Sequence, residues 1–205
     1  MGGMENRNWL VTDGGELQAL ETPEYQEPAQ IYRLYRFLTE LEDLLATETD
    51  DAKRLSAIAP LVRKLLISSY WLQMEYQAPD PKTGWSVHFL YREYQFPLTV
   101  QMVAWQPGSQ STIHNHATWG LVALLGGHET NRIWRRVPTA EHPHQIELVD
   151  EVVLAPGDLI TFTPGAIHQV QPASDEPTIS FNLYGITDRQ QRYVFDPENR
   201  SAKLF

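Results

Sequence analysis

Beyond the segment QAPDPKTG at 77–84 the apolar residues stop recurring at helical spacing and begin to alternate, and this change of period limits the fold more than any other feature. Period-two runs cover 85–90, 98–105, 120–125, 130–136, 145–154, 158–162, 168–171, 178–184 and 192–195, most of them separated by turns that carry Gly or Pro. Many short strands of this kind close on themselves as a β-barrel or jelly roll, with the interior available as a ligand pocket. Ahead of the break, Ile31, Leu34, Tyr35, Leu38, Leu41, Leu44 and Leu45 fall on one face of a helix over 29–47. A second helix starts near Asp50 and Asp51, whose carboxylates suit a helix N-terminus, and runs through Leu55, Ile58, Leu61, Val62, Leu65 and Leu66. Pro60 is expected to break it into two. Both stripes read as packing surface that covers one side of a sheet, and residues 1–27 read as an irregular lead-in.

A chain of 205 residues suits one domain, with a helical segment at 28–76 and a barrel at 85–197. The 42% hydrophobic and 11% aromatic content, without a long uncharged apolar run, describes a soluble globular protein. The start, MGGMENRNWLVTDGGE, has no apolar core of a secretory signal, so a cytoplasmic location is expected. The absence of cysteine excludes disulfides, thiolate ligands and a Cys nucleophile, which leaves His and oxygen donors for any metal. A net charge of -10, with no local Lys/Arg run, argues against nucleic acid and anionic membrane as partners.

Chemistry concentrates in GSQSTIHNH at 108–116, where His114 and His116 are spaced to share one face of a strand. His168, in GDLITFTPGAIHQV, follows a strand and a Pro164-Gly165 turn that can bring it back beside the pair. Three neutral imidazoles on one divalent metal leave positions open for a substrate and O₂. His142 and His144 flank Pro143 in the polar stretch EHPHQ and read as a solvated hairpin loop, while His88 and His128 have no patterned partner.

GSQSTIHNH followed by Gly126 resembles the first cupin motif, and Gly157, Gly165 and His168 in GDLITFTPGAIH resemble the second. The usual first motif adds a Glu ligand shortly after its second His, whereas ATWGLVALLGG holds no carboxylate before Glu129. That pattern resembles the thiol dioxygenase branch of the cupins, the cysteine dioxygenase family, as do WQPGSQSTIH and SFNLY at 180–184. The resemblance implies a cupin double-stranded β-helix barrel with an N-terminal helical segment packed against it. It further implies Fe(II) held by His114, His116 and His168, with Zn or Ni possible in the purified protein. A small carboxylated thiol such as cysteine would be oxidised by O₂ to its sulfinate in a monomer or homodimer. Arg92 would pair with the substrate carboxylate, and Arg at that place goes with cysteine in the family. Tyr184 would donate to bound oxygen with Ser180 and Asn182 holding its hydroxyl, Asn182 standing where the family has His. Gly120 lies near the Cys of the mammalian Cys–Tyr cross-link. Trp119 and Phe162, with Trp134 and Phe181, are candidate walls of a dry pocket. Two other readings stand beside this one: another cupin metal-dependent dioxygenase or isomerase acting on a different small molecule, and a non-catalytic small-molecule-binding cupin.

Overall fold

Alternating side chains make two-faced strands, and two-faced strands need a partner layer on each apolar face. The computed structural model describes residues 7–23, 31–94 and 98–205. Their strands are β1 (Asn8–Val11), β2 (Leu17–Ala19), β3 (Trp85–Arg92), β4 (Thr99–Trp105), β5 (Ile113–Asn115), β6 (Gly120–Gly126), β7 (Glu129–Arg136), β8 (Ile146–Leu154), β9 (Leu159–Phe162), β10 (Ile167–Pro172), β11 (Thr178–Tyr184), β12 (Tyr193–Asp196) and β13 (Ser201–Leu204). Helices α1 (Leu34–Thr47) and α2 (Asp51–Ser68) and a 3-10 segment, Tyr70–Met74, precede β3. One sheet has the order β2-β1-β9-β6-β11-β4-β3 and the other β13-β12-β5-β10-β7-β8. The chain is therefore mainly β, with two sheets and two α-helices among the described residues.

Strand parity divides the core into layers. Val11, Val122, Leu124, Ile160 and Phe162 from the first sheet meet Ile133, Val152 and Leu154 from the second, which closes the space between the sheets. The opposite face of the first sheet, through Met102, Leu121, Ala123, Phe181 and Leu183, packs on Phe37, Leu41, Leu55, Ile58, Val62 and Leu65 of the helices. Within β11, Phe181 and Leu183 belong to the helix side, so Ser180, Asn182 and Tyr184 project between the sheets. Among the described residues no helix is long and apolar enough to cross a membrane.

Several expectations need correction. Part of the supposed lead-in is β1, which runs parallel to β9 and places Val11 fully buried in the core. Its four residues are too few to show a period, and the strand exists because β9 offers it an edge. The Arg7 N–H and guanidinium both bond the Asp158 carboxylate and anchor this end. The first helix begins at Leu34, later than the apolar spacing implies. The second is continuous through Pro60. An interior proline costs about 3 kcal/mol, but burial of Leu55, Ile58, Ala59, Val62, Leu65 and Leu66 along the same helix offsets that loss. Its start is as expected, with the Asp50 side chain accepting from the Lys53 N–H at 2.9 Å.

Candidate metal centre

Residues from β5 and β10 converge at one end of the space between the sheets. In the β5–β10 pairing His114 lies directly opposite His168, so the two rings share a face and sit 4.9 Å apart between centroids. His116 follows the last residue of β5, and the chain turns sharply after it because Ala117 adopts φ 52°. That left-handed turn is tied down on both sides: the Ala117 N–H donates to Pro164 O and its carbonyl accepts from the Asp188 N–H, each at 3.1 Å. His116 Nε2 thereby comes to 2.9 Å from His168 Nε2. Two ligand nitrogens on one ion with bonds of about 2.1 Å meeting near 90° would be about 3.0 Å apart. Ligand atoms of all three histidines lie within 4.8 Å of one another, and this is the cluster among the described residues that can hold a metal. His142 and His144 are outside it.

In His114 and His168 the second ring nitrogen is engaged in the way a ligand requires. His114 Nδ1 donates to Thr112 O at 2.9 Å, and His168 Nδ1 donates to Asn131 Oδ1 at 3.0 Å, which leaves both Nε2 lone pairs free for a cation. Burial lowers the His114 imidazole to about 4 against the pull of the Thr112 carbonyl, and the Arg192 charge acts in the same direction. Burial also lowers His116 and His168 well below the usual range, helped by the neighbouring imidazoles. All three are neutral near pH 7, the state that binds a divalent ion, so this donor set fits one.

A stability signature follows. The folded His114 value, about 4, lies below the unfolded reference of 6.5, so the unfolded chain binds more protons between those values. The metal-free protein is expected to lose stability as pH falls through that window, with the loss complete below it. His114→Gln should flatten the fall in melting temperature; an unchanged pH profile would contradict the assigned protonation.

Other expected site residues are distributed unevenly. Phe162 is fully buried with its ring 4.2 Å from His168 and 5.7 Å from His116, so it is a wall of the site. The Tyr184 ring stacks on His116 at 4.6 Å. A hydrogen-bonded chain runs from Tyr184 Oη, which donates to Asn182 Oδ1 at 2.9 Å, to Asn182 Nδ2, which donates to Ser180 Oγ at 2.8 Å. The phenol proton is thus committed to Asn182, and donating it to a bound oxygen would require giving up that bond. Burial pushes the Tyr184 pKa up, the Glu129 charge adds to this, and the phenol stays neutral. Gly120 makes the stacking possible, since a Cβ there would lie 2.7 Å from the Tyr184 ring.

Trp119 does not face the histidines. It shares the parity of Leu121 and Ala123, belongs to the helix-side core and lies under the Arg54 guanidinium. Phe181 packs edge-on against Phe37 on that same side. Trp134 alternates with the inward-facing Ile133 and lies opposite Ile167, so it packs with Ile113, Ile167 and Phe195 on the other face of that sheet. Arg92 shares a rung with Tyr184 through Thr99, about 10 Å across two strand spacings. Its side chain is exposed on the edge strand, with the guanidinium over Phe89.

A different arginine lies near the histidines, over the Phe205 ring that is itself 6.1 Å from His114. Asn115, between the two ligands in sequence, donates from Nδ2 to Gln191 O and accepts the Tyr193 N–H at Oδ1, which clamps the backbone on both sides of Arg192. The Arg192 charge acts to lower the imidazoles of His114 and His116 and the phenol of Tyr184, so it lies within electrostatic reach of all three. Burial lowers the Arg192 pKa in turn, and its buried Nε has no partner among the described residues. No carboxylate among them forms an ion pair with it; the guanidinium lies 3.9 Å above the Phe205 ring. Sequence pattern carried no signal for Arg192, because the clamp comes from a residue far away in the chain.

No family model matches the sequence. Among solved structures, the chain is similar to a Thermus thermophilus protein at 17% identity and TM-score 0.44, over 57% of this chain and 94% of that one. It is similar to an oxalate oxidase in complex with the substrate analogue glycolate at 12% identity and TM-score 0.37, over 51% of this chain and 52% of that one. A cupin-like protein from Thermotoga maritima matches at 17% identity and TM-score 0.39, over 59% of this chain and 75% of that one. The match thus spans about half of the oxalate oxidase chain. Likenesses of this size say nothing of ligand or activity, and the chemistry of the site rests on its own residues.

Proposed function

We propose that this chain is a thiol dioxygenase of the cysteine dioxygenase type on a cupin double-stranded β-helix, with His114, His116 and His168 holding one Fe(II). The observation that carries the reading is a cluster of three imidazoles with no carboxylate in it. An ion held by three neutral ligands keeps its full charge, which favours an anionic thiolate over a neutral substrate. Iron held by His114, His116 and His168 would supply the redox chemistry that joins a thiolate to O₂. The overall change is RS⁻ + O₂ → RSO₂⁻: both oxygen atoms end on sulfur, and no external reductant is consumed.

The protein's own groups bind, orient and dry the substrate. Arg192 offers a guanidinium with no ion-pair partner among the described residues, near the histidines and suited to a substrate carboxylate, and takes the role that the sequence suggested for Arg92. Tyr184, held by Asn182 and Ser180, covers one face of His116, and Phe162 excludes water beneath His116 and His168. The test is aerobic turnover of cysteine, 3-mercaptopropionate and cysteamine by the iron-loaded protein with ¹⁸O₂. One sulfinate per O₂ consumed, carrying both labelled atoms, is expected with a carboxylated thiol; absence of sulfinate from all three overturns the proposal.

A further inference from the structure

Behind His168 lies a buried carboxylate that none of the roles above uses. Glu129 opens β7, and the β7–β10 register sets Glu129, Asn131 and Ile133 opposite Pro172, Val170 and His168. Opposed residues share a face, and Ile133 belongs to the core between the sheets, so Glu129 and Asn131 point into that space. Both are almost completely buried. Asn131 Oδ1 accepts from His168 Nδ1 at 3.0 Å while Asn131 Nδ2 donates to Glu129 Oε1 at 2.9 Å. The other Glu129 oxygen is within 3.5 Å of Thr178 Oγ1 on the facing sheet. No cation among the described residues pairs with this carboxylate.

A buried acid with no counter-charge is costly, and a hydrophobic residue would serve packing alone better. Its cost is explained if its charge is used. Burial raises the Glu129 carboxyl to about 7, against the bonds from Asn131 and Thr178, so it is ionised above that pH. The carboxylate then polarises the Asn131 amide, which strengthens Oδ1 as an acceptor and makes His168 a stronger electron donor at Nε2. Through-space influence points the same way, since the Glu129 charge contributes to the raised pKa of Tyr184 in the site.

We infer that Glu129 is a positioning residue for the metal centre, acting through Asn131 on His168 to strengthen cation binding and to favour the oxidised state of a redox-active ion. The inference rests on the proposed metal site. The test compares wild type, Glu129→Gln and Asn131→Ala at pH 8, where Glu129 is ionised, for Co(II) affinity by anaerobic titration and for the reduction potential of the iron-loaded protein. Gln keeps an oxygen to accept from Asn131 and removes the charge. Its melting temperature at pH 8 should not fall below that of wild type, because a buried charge has been removed. Glu129→Gln should weaken Co(II) about 3–10-fold and move the potential to more positive values, and Asn131→Ala should weaken Co(II) by about 10–100-fold, as for direct outer partners of metal-bound histidines. A folded Glu129→Gln protein with wild-type affinity and potential overturns the inference and leaves the metal site standing. A wild type that binds no Co(II) or iron overturns the metal reading itself, and this inference with it.

Discussion

His168→Ala is expected to yield a protein that retains less than about one hundredth of the wild-type affinity for a divalent transition metal. The floor follows from comparison: partners that only hydrogen-bond a ligand are worth about 10–100-fold, and His168 would be a ligand in a set with no spare donor. His168 is also buried against Phe162 and bonded to Asn131, so alanine leaves a cavity and an orphaned amide. His168→Gln preserves most of the volume and separates lost ligation from lost packing. His114→Ala and His116→Ala should behave alike, and His142→Ala and His144→Ala should leave metal stoichiometry unchanged. Metal content per chain after dialysis is the readout; retention by all three ligand variants would remove the basis of the site.

Arg192→Met should raise the KM for a carboxylated thiol by the equivalent of roughly 2–4 kcal/mol, the range for breaking a desolvated charge pair. Methionine keeps much of the packing over Phe205 while removing the charge. Cysteamine, which lacks the carboxylate, should be affected far less, and Arg92→Ala should leave both substrates near wild type because that side chain is exposed. Equal losses for cysteine and cysteamine in Arg192→Met would mean that Arg192 shapes the site without reading the carboxylate. A selective loss of cysteine in Arg92→Ala would return that role to the edge strand.

The histidine cluster was legible because each half is a local pattern: a His-x-His at a strand end, and a His just beyond a Pro-Gly turn. The strands were legible because they are short, rich in apolar and β-branched residues, and mostly separated by turns that carry Gly or Pro. Trp119 and Phe181 were misplaced for want of parity. Aromatic character is visible in sequence, but the face of the sheet is set by register, and both lie with the helices. Trp134 was misplaced for the same reason, since it alternates with the inward-facing Ile133 and lies on the outer face of its sheet. Glu129 and Asn131 do carry a signal, since both share the inward parity of Ile133, yet a polar pair at a strand start resembles solvent-facing residues until the facing sheet is known. Arg192 depends on the Asn115 clamp, and β1 on the free edge of β9. These are tertiary effects, outside the reach of local pattern.

The central claim is that three imidazoles hold an iron that takes a thiolate directly. X-ray absorption at the iron edge of the Fe(II)-loaded protein, recorded anaerobically before and after addition of cysteine or 3-mercaptopropionate, tests it most directly. The account predicts a first shell of nitrogen and oxygen scatterers without substrate, and one added sulfur scatterer with it. A first shell that stays free of sulfur at saturating thiol would contradict the account.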